Sequence, residues 1–432
     1  MSVKIEELHK IFLSYPIVST DTRKIEQNSI FFALKGANFD ANKFVPDALR
    51  NGAAYAVADD KELAALNDSR IIIVDNVLLT LQALARYHRD SMNIPVLAVT
   101  GTNGKTTTKE LINVALSSAH NVLSTIGNLN NSIGVPLTLL RLKKEHTIAV
   151  VEMGASHPGD IEELVNIANP THGVITNVGR AHLQGFGSYE GVIATKCELY
   201  DYIKGKAGVL FVRNEDEVLM QRSQGIERVL YGTSSGLYLN GAINSVSPFL
   251  SASVVRDGES YEIETSLIGR YNLDNVVAAS AIASYFGVPM QDVALSISSY
   301  VPSNSRSQFI KGERNNIILD AYNANPSSMK VAVENFAEVE AESKMLILGD
   351  MLELGEESQG EHAKVVALLS DLGFTDVMLV GGEFSKVESQ YRCFAITADL
   401  IKFLKDSNIT GKTILIKGSR GIALEQTIAY LK

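Results

Sequence analysis

The segment Val96–Thr108, which reads VLAVTGTNGKTTT, constrains this chain more than any other. A short valine-rich run ends at Thr100, a glycine-containing turn follows, and Lys105 and three threonines lead into a helix-like stretch. Such a turn points main-chain N–H groups at an anion, and the helix N-terminus and the lysine add positive charge. The hydroxyl directly after the lysine, that of Thr106, is placed to bind Mg²⁺. The segment therefore predicts a strand, a phosphate-binding turn and a helix, with ATP bound at the turn.

The glycine spacing of this turn differs from the general phosphate-loop pattern. That pattern has a glycine five positions before Gly104, where this chain has Val99. The other glycine is Gly101, so the turn is a shortened variant. An ordinary strand–turn–helix connection is the alternative, but a Gly-x-x-Gly-Lys-Thr turn directly after an apolar strand is rare by accident. The residues expected at the ATP phosphates are Gly101, Thr102, Asn103, Gly104, Lys105, Thr106 and Thr107.

Size, charge and cysteine content bound the class of protein. At about 150 residues per domain, the 432 residues correspond to roughly three domains. The formal net charge of −10 argues against a nucleic-acid partner, which would usually meet a basic surface. Cys197 and Cys393 lie far apart and suggest reduced thiols rather than a disulfide. Without an apolar signal core or a stretch of ~20 apolar residues, we expect a cytoplasmic protein with no membrane insertion.

Strand-like and helix-like segments alternate along most of the chain, which predicts an α/β fold with a parallel sheet and crossover helices. Asn93-Ile94-Pro95 is a plausible linker because proline disfavours helix in the residue before it, and a third unit starts near Pro302. The short alternating runs from about 229 to 268 predict a small antiparallel layer. The predicted domains are residues 1–92, 93–301 and 302–432.

The hydrophobic patterns predict individual elements as well. The predicted strands are Ser29–Leu34, Ala53–Ala58, Arg70–Val74, Thr147–Met153, Gly173–Asn177, Ala207–Arg213, Asn316–Asp320, Lys344–Gly349, Val377–Val380 and Thr413–Lys417. The predicted helices are Val45–Gly52, Leu78–Asp90, Tyr189–Tyr202, Asn272–Phe286, Ser328–Val339 and Glu361–Leu372.

Two carboxylates stand where predicted strands end. Glu152 closes the strand TIAVVE, and Asp320 closes the strand IILD before an Asn/Pro-containing turn. In open α/β sheets ligands bind beyond the carboxyl ends of the strands, and a carboxylate there suits Mg²⁺. A solvated end-of-strand glutamate is the alternative reading of Glu152. Both residues are therefore candidates for a nucleotide and metal site.

Other polar residues carry weaker signals. His182 lies in a glycine-rich loop after a predicted strand, although a lone histidine is usually structural. Lys196 lies on a predicted helix, and periodicity alone does not separate it from a surface lysine. The turn Gly418–Gly421 after Lys417 is cationic and glycine-flanked, which suits a carboxylate or phosphate, or serves only as a β-to-α connection.

Taken together, these segments resemble the Mur ligase family over essentially the whole chain. Thr100–Thr107 matches the family's ATP loop, which explains the missing first glycine. Several further segments resemble the branch that joins D-alanyl-D-alanine to a UDP-muramoyl tripeptide: Gly127–Leu137 (GNLNNSIGVPL), His182–Ser188 (HLQGFGS), Asp320–Met329 (DAYNANPSSM), Leu348–Ser358 (LGDMLELGEES) and Lys417–Gly421 (KGSRG). The Asp-Asn-Pro-Arg signature of a sibling branch is absent from the sequence.

The resemblance implies a fold and a metal site. It implies an N-terminal UDP-substrate domain, a central ATPase domain and a C-terminal Rossmann-like domain. Lys105, His182 and Lys196 would be catalytic, with Lys105 on the ATP phosphates. Two Mg²⁺ ions are expected, and their ligands would be Thr106, Glu152, His182 and Lys196. Lys196 would act as a carbamate, in which CO₂ on the neutral amine supplies an anionic oxygen ligand.

The resemblance also implies nucleotide and substrate contacts. Further ATP contacts would be Asn272, Asn275, Arg306 and Asp320. Substrate contacts would be Asp21, Thr22, Arg23, Lys35, Gly36, Asn130, Asn131, Asn323, Asn325, Lys417, Ser419 and Arg420. The chain departs from the family in having Ser305 before Arg306, Tyr271 in place of a histidine, and Asp40–Phe44 (DANKF) in the first domain. The last departure leaves the uridine contacts open.

Alternatives to the amide ligase remain at this stage. A sibling ligase, for example one of glutamyl type, would use the same loop with another amine substrate. A nucleotide-dependent switch would bind ATP without consuming it. We expect a monomer that acts on small molecules and consumes ATP during ligation.

Overall fold

The computed structural model describes residues 3–36, 38–180, 183–303 and 305–432. Its first sheet has four parallel strands in the order β1-β2-β5-β6, and β3 pairs with β4 in a separate short hairpin. These strands are β1 (Val18–Ser19), β2 (Ile30–Phe32), β3 (Lys35–Gly36), β4 (Phe39–Asp40), β5 (Tyr55–Ala58) and β6 (Ile71–Ile73). Lys35 and Gly36, two of the predicted substrate contacts, form the first arm of the hairpin.

The central sheet has nine strands in the order β15-β14-β13-β12-β11-β10-β7-β9-β8. Its strands are β7 (Val96–Thr100), β8 (Val122–Ser124), β9 (Ile148–Glu152), β10 (His172–Ile175), β11 (Val209–Arg213), β12 (Glu227–Gly232), β13 (Leu239–Ser245), β14 (Ser251–Arg256) and β15 (Glu259–Glu264). The fully buried β7 lies between β10 and β9 and runs parallel to both. The carboxyl ends of these three strands therefore meet at one edge of the sheet.

The antiparallel layer predicted over about 229–268 is present, and it forms part of the central sheet. β13, β14 and β15 are antiparallel to one another, as predicted. However, β13 pairs in parallel with β12, so these strands extend the central sheet at its edge. A sheet edge offers unpaired N–H and C=O groups to the next strand, and this long-range pairing has no signal in the local pattern.

The third sheet has six strands in the order β16-β17-β21-β18-β19-β20, of which only the β16–β17 pair is antiparallel. The strands are β16 (Gln308–Lys311), β17 (Asn316–Asp320), β18 (Lys344–Gly349), β19 (Val377–Val380), β20 (Arg392–Phe394) and β21 (Thr413–Lys417). Four of these were predicted with the bounds that the structure has, because each is a buried apolar run. The predicted α/β class is confirmed.

Helices cover the sheets. They are α1 (Ile5–Ser14), α2 (Val45–Arg50), α3 (Val77–Asp90), α4 (Lys105–Leu116), α5 (Gly134–Leu139), α6 (Asp160–Ala168), α7 (Leu183–Phe186), α8 (Tyr189–Gly205), α9 (Glu217–Arg222), α10 (Asn272–Tyr285), α11 (Met290–Ser299), α12 (Pro326–Glu338), α13 (Ser358–Asp371), α14 (Thr397–Asp406) and α15 (Ile428–Leu431). In residues 3–36, 38–180, 183–303 and 305–432, none of the helices has the length and apolar character that crossing a bilayer requires.

The packing of α3 joins the first two sheets. Asn76 caps this helix by accepting a hydrogen bond from the Leu79 N–H, which satisfies one of the free donors of the first turn. Its apolar face, with Leu81 and Leu84, packs into one continuous core with α5 and α6. The N-terminal sheet is thereby held against the central one, and residues from both sheets share this core.

Candidate active site

Two glycines of the phosphate-binding turn have positive φ angles. Gly101 has φ 142° and Gly104 has φ 77°, both outside the range that other residues adopt easily. A Cβ on Gly101 would stand 2.1 Å from the Thr176 Oγ1, and a Cβ on Gly104 would stand 2.7 Å from the Asn275 Oδ1. Both positions therefore require glycine for conformation and for space, and α4 begins directly after them.

The neighbouring strand end holds the turn in place. The side-chain carbonyl of Asn177 accepts a hydrogen bond from the Asn103 N–H at 3.0 Å, and its amide donates to the Asn103 carbonyl oxygen at 3.0 Å. Thr176 donates from Oγ1 to the same carbonyl at 2.6 Å. Our sequence reasoning did not assign Thr176 or Asn177 to the site. Their position after a buried strand, at the same sheet edge as Thr100, is the signal that could have found them.

The side chain of Lys105 folds back onto the phosphate-binding turn. Its Nζ donates to the carbonyl oxygens of Gly101 at 2.8 Å and Thr102 at 3.0 Å. Loss of hydration lowers the pKa of Lys105 to about 8, an effect that the charge of Glu152 opposes and that of Arg306 reinforces. The ammonium group is thus poorly solvated, and its electrostatic attraction for an anion is stronger there than in water.

Glu152 presents a free oxygen beside the turn. Its side chain is buried, with 1% exposed, at the carboxyl end of β9. Oε1 accepts hydrogen bonds from Thr106 Oγ1 at 3.2 Å and from Asn130 Nδ2 at 2.8 Å, whereas Oε2 has no hydrogen-bond partner. A buried carboxylate oxygen without a partner is costly, and a hard cation such as Mg²⁺ would satisfy it.

The predicted metal ligands are only partly visible. Thr106 and Glu152 are in contact, as described, but His182 lies outside the described residues. Among the residues that are described, no group of three or more His, Cys, Asp and Glu side chains comes together to hold a metal. The donors at hand, one carboxylate and one hydroxyl, fit a Mg²⁺ ion that takes further ligands from phosphate and water.

Lys196 is buried on α8, with 2% of its surface exposed, rather than on the protein surface. Its Nζ lies 5.3 Å from the centre of the Phe186 ring. Burial lowers the pKa of Lys196 to about 7 and the charge of Lys105 reinforces the shift, while Asp160 and Glu198 oppose it. The lowered pKa of Lys196 favours the neutral amine, which is the form that reacts with CO₂.

A cleft of about 940 Å³ lies between the central and the C-terminal sheets. Predicted residues meet in it from both sides: Thr102, Asn103, Gly104, Lys105, Thr106, Thr107, Asn130, Asn131, Glu152, Asn272, Asn275, Arg306, Asp320, Asn323, Asn325 and Lys417. Asn275 accepts a hydrogen bond from Thr108 and donates one to Asn272. Side chains that line the cleft and were not predicted include Asp160, Asn177, Arg213, Asp274, Tyr322, Ser327 and Glu353.

An ion pair and an inter-sheet hydrogen bond help to hold the C-terminal wall of the cleft. Lys417 donates to Asp320 at 2.6 Å, and the two residues are direct partners in the β17–β21 register. Asn325 caps α12 by accepting from the Ser328 N–H, and its amide donates to the Asn103 Oδ1 at 2.8 Å. The phosphate-binding turn thus touches the helix of the other sheet directly.

The remaining predicted residues lie outside the cleft. Arg23 is exposed and pairs with the half-buried Asp21, and Lys35 pairs with Asp59 at 2.9 Å. Thr22 and Gly36 stand beside them in the chain. Ser419 is buried and accepts from the Leu352 N–H, and Arg420 is exposed. Gly101 and Lys196 are not among the residues that line the cleft.

Comparison with known proteins places this fold and site in a family. The Mur ligase middle domain matches residues 99–283, and the Mur ligase glutamate ligase domain matches residues 305–420. The chain is 35% identical over 96% of its length to the UDP-N-acetylmuramoyl-tripeptide–D-alanyl-D-alanine ligase of Bacillus subtilis, of which it covers 92%. The class that the fold and phosphate-binding turn define is that of ATP-dependent ligases forming an amide bond, and within it the chain belongs to the Mur ligase family.

Two solved structures of Mur ligases share the fold of this chain. A crystal structure of MurF from Acinetobacter baumannii superposes with a TM-score of 0.86 at 30% identity, covering 96% of this chain and 92% of that one. MurF ligase from Thermotoga maritima, crystallised with ADP, gives a TM-score of 0.86 at 27% identity and covers 97% of both chains.

Proposed function

We propose that this chain joins D-alanyl-D-alanine to UDP-N-acetylmuramoyl-tripeptide with consumption of ATP, a step in peptidoglycan precursor synthesis. The observation that carries the proposal is the cleft in which the phosphate-binding turn and Glu152 face Asp320, Asn325 and Lys417 of the other sheet. Similarity along the whole chain to a ligase of this reaction supports the choice of substrates. Since ATP and a UDP-linked precursor are cytoplasmic metabolites, we also place the enzyme in the cytoplasm, and we expect a monomer.

The proposed chemistry starts with the terminal carboxylate of the tripeptide. A carboxylate oxygen attacks the γ-phosphorus of ATP, and the bond between the γ-phosphorus and the oxygen bridging it to the β-phosphate breaks. The products are an acyl phosphate and ADP. Negative charge spreads over the transferred phosphoryl group, and Lys105 together with the N–H groups of the turn offsets it. The carboxylate, a poor electrophile, thereby gains a good leaving group.

The amine of D-alanyl-D-alanine completes the reaction. It attacks the acyl carbon in its neutral form, a tetrahedral intermediate forms, and inorganic phosphate departs as the proton of the amine is lost to solvent or a base. Water would hydrolyse the acyl phosphate, so the cleft must exclude it. The hydrogen bond between Asn325 and Asn103 supports a closed cleft during this step.

We propose that Mg²⁺ binds at Thr106 and Glu152, with His182 and a carbamate on Lys196 as further ligands of two ions. When bound, the ions would neutralise phosphate charge. Thr106 Oγ1 donates a hydrogen bond to Glu152 Oε1 at 3.2 Å, so both oxygens lie on the same side of the turn. The lowered pKa of Lys196 supports the carbamate, since only a neutral amine takes up CO₂.

The substrate ends would occupy separate parts of the molecule. We place the adenosine end of ATP at Asn272 and Asn275, with Arg306 and Asp320 on the nucleotide from the other sheet. The uridine diphosphate end is assigned to Asp21, Thr22, Arg23, Lys35 and Gly36, and the peptide ends to Asn130, Asn131, Asn323, Lys417, Ser419 and Arg420.

The experiment that tests the function supplies different amines to the purified enzyme. With ATP, Mg²⁺ and UDP-N-acetylmuramoyl-tripeptide, release of ADP should depend on D-alanyl-D-alanine and yield the pentapeptide product by mass spectrometry. Release that required free glutamate and ignored D-alanyl-D-alanine would identify a sibling ligase instead. ATP binding without any turnover on adding acceptors would indicate a nucleotide switch.

A further inference from the structure

Arg306 stands in an unusual turn at the start of the C-terminal unit. The residues on either side, Ser305 with φ 56° and Ser307 with φ 48°, both have left-handed backbone, which is strained for residues other than glycine. Two contacts hold this turn: Tyr271 and Ser307 share a hydroxyl–hydroxyl hydrogen bond of 2.7 Å, and the Ser307 N–H donates to Asp320 at 3.3 Å. The backbone of Arg306 is therefore fixed from both sheets.

The guanidinium group of Arg306 stacks on an aromatic ring. Its Cζ lies 3.8 Å from the centre of the Tyr322 ring, within the range of a cation–π contact. Its Nε is buried and has no hydrogen-bond partner, and no described carboxylate forms an ion pair with it. Arg420 approaches the same ring less closely, at 5.3 Å. The charge of Arg306 is thus held by a ring and remains available to an anion.

Arg306 and its aromatic partner face the same cleft as the phosphate-binding turn. Arg306, Tyr322 and Lys105 all line that cleft. A long, flexible and positively charged side chain extends towards solvent unless another group holds it. The Tyr322 ring, which lines the cleft, is in contact with the Arg306 guanidinium group.

We propose that Tyr322 is a positioning residue that holds the Arg306 guanidinium towards the phosphate-binding turn, so that the cleft presents two cations to the triphosphate. This inference rests on the proposed function and concerns the same cleft. The face of the Tyr322 ring holds the guanidinium group, and the Tyr322 hydroxyl is not needed for this. A direct contact between Tyr322 and the nucleotide is the competing explanation, and it predicts a different dependence on Arg306.

The test compares Tyr322→Leu, which removes the ring, with Tyr322→Phe, which keeps it. ATP affinity is measured by titration calorimetry, with thermal unfolding followed in parallel; Tyr322→Met serves as a second ringless variant should Tyr322→Leu fold poorly. A cation–π contact in a partly desolvated site corresponds to about fivefold to thirtyfold in affinity. We expect the dissociation constant of ATP to rise by that factor in the ringless variants and to change by less than about twofold in Tyr322→Phe.

Repeating the comparison in an Arg306→Gln background separates positioning from direct contact. Without the guanidinium, the Leu and Phe variants should bind ATP equally well. The proposal would be overturned if Tyr322→Leu and Tyr322→Phe bound ATP equally well with Arg306 present. It would also be overturned if Tyr322→Leu still bound ATP more weakly than Tyr322→Phe in the Arg306→Gln background. Steady-state kinetics should show the effect in the KM for ATP and not in the KM for the amine. Failure of the unmodified enzyme to bind ATP would instead overturn the proposed function itself.

Discussion

At the scale of single residues, the site is built from charged groups kept out of water. Lys105 and Glu152 lie at the carboxyl ends of strands, Lys196 is buried on α8, and burial shifts the pKa of both lysines downwards. Burying a charge without a partner is unfavourable, so these residues would be poor choices for stability alone. Perturbed lysines beside a cleft are more typical of a catalytic site.

Replacing Lys196 by alanine tests the carbamate directly. We expect the turnover number to fall by at least about a hundredfold, because a metal ligand is lost, while thermal stability changes little since the buried amine is itself poorly solvated. Short carboxylic acids such as acetate should restore part of the activity by supplying the missing oxygen. Lys204→Ala, an exposed lysine on the same helix, is the control. Normal turnover of the Lys196 variant would refute the carbamate.

At the scale of elements, strand ends position the chemistry. β7, β9 and β10 are parallel neighbours, so the turn after Thr100, the carboxylate of Glu152 and the side chain of Asn177 meet at one edge. The first two were predicted from the sequence because each follows an apolar run. Asn177 also ends a predicted strand, but it was not assigned to the site, since its hydrogen bonds to Asn103 depend on the order of strands in the sheet, which the local pattern does not specify.

Gly104→Ala tests whether the turn needs its backbone. The left-handed φ of 77° costs an alanine about 1 kcal/mol, and the new Cβ would stand 2.7 Å from Asn275 Oδ1. ATP should bind at least about tenfold more weakly, because the N–H groups of the turn are displaced. Gly373→Ala is the matched control, with φ 73° and open space around its Cβ. It should lose similar stability and keep ATP affinity; an unaltered affinity in Gly104→Ala would contradict the assignment.

At the scale of the whole molecule, the site exists because two sheets face each other. The third sheet could be predicted almost strand by strand, as Asn316–Asp320 and Thr413–Lys417 illustrate. The contact between Asn103 and Asn325 could not, since 222 residues separate them and each looks locally like an ordinary turn or cap residue. Likewise, the hydrogen bond between Tyr271 and Ser307 becomes visible only in the folded chain.

Asn325→Ser tests this contact selectively. Serine caps a helix about as well as asparagine, so α12 should remain stable, but its hydroxyl is too short to reach Asn103. One neutral hydrogen bond is worth about 0.5–1.5 kcal/mol, and kcat/KM for ATP should fall accordingly, by roughly twofold to twelvefold. The control is Asn76→Ser, the same change at the cap of α3. Equal activity of the two variants would show that the contact does not matter.

The most direct measurement follows oxygen from the peptide acid. UDP-N-acetylmuramoyl-tripeptide with both oxygens of its terminal carboxylate labelled as ¹⁸O is incubated with enzyme, ATP, Mg²⁺ and D-alanyl-D-alanine, and the released phosphate is analysed by mass spectrometry. If the cleft transfers a phosphoryl group to that carboxylate, each released phosphate carries one ¹⁸O atom. Phosphate released without label during product formation would contradict the account.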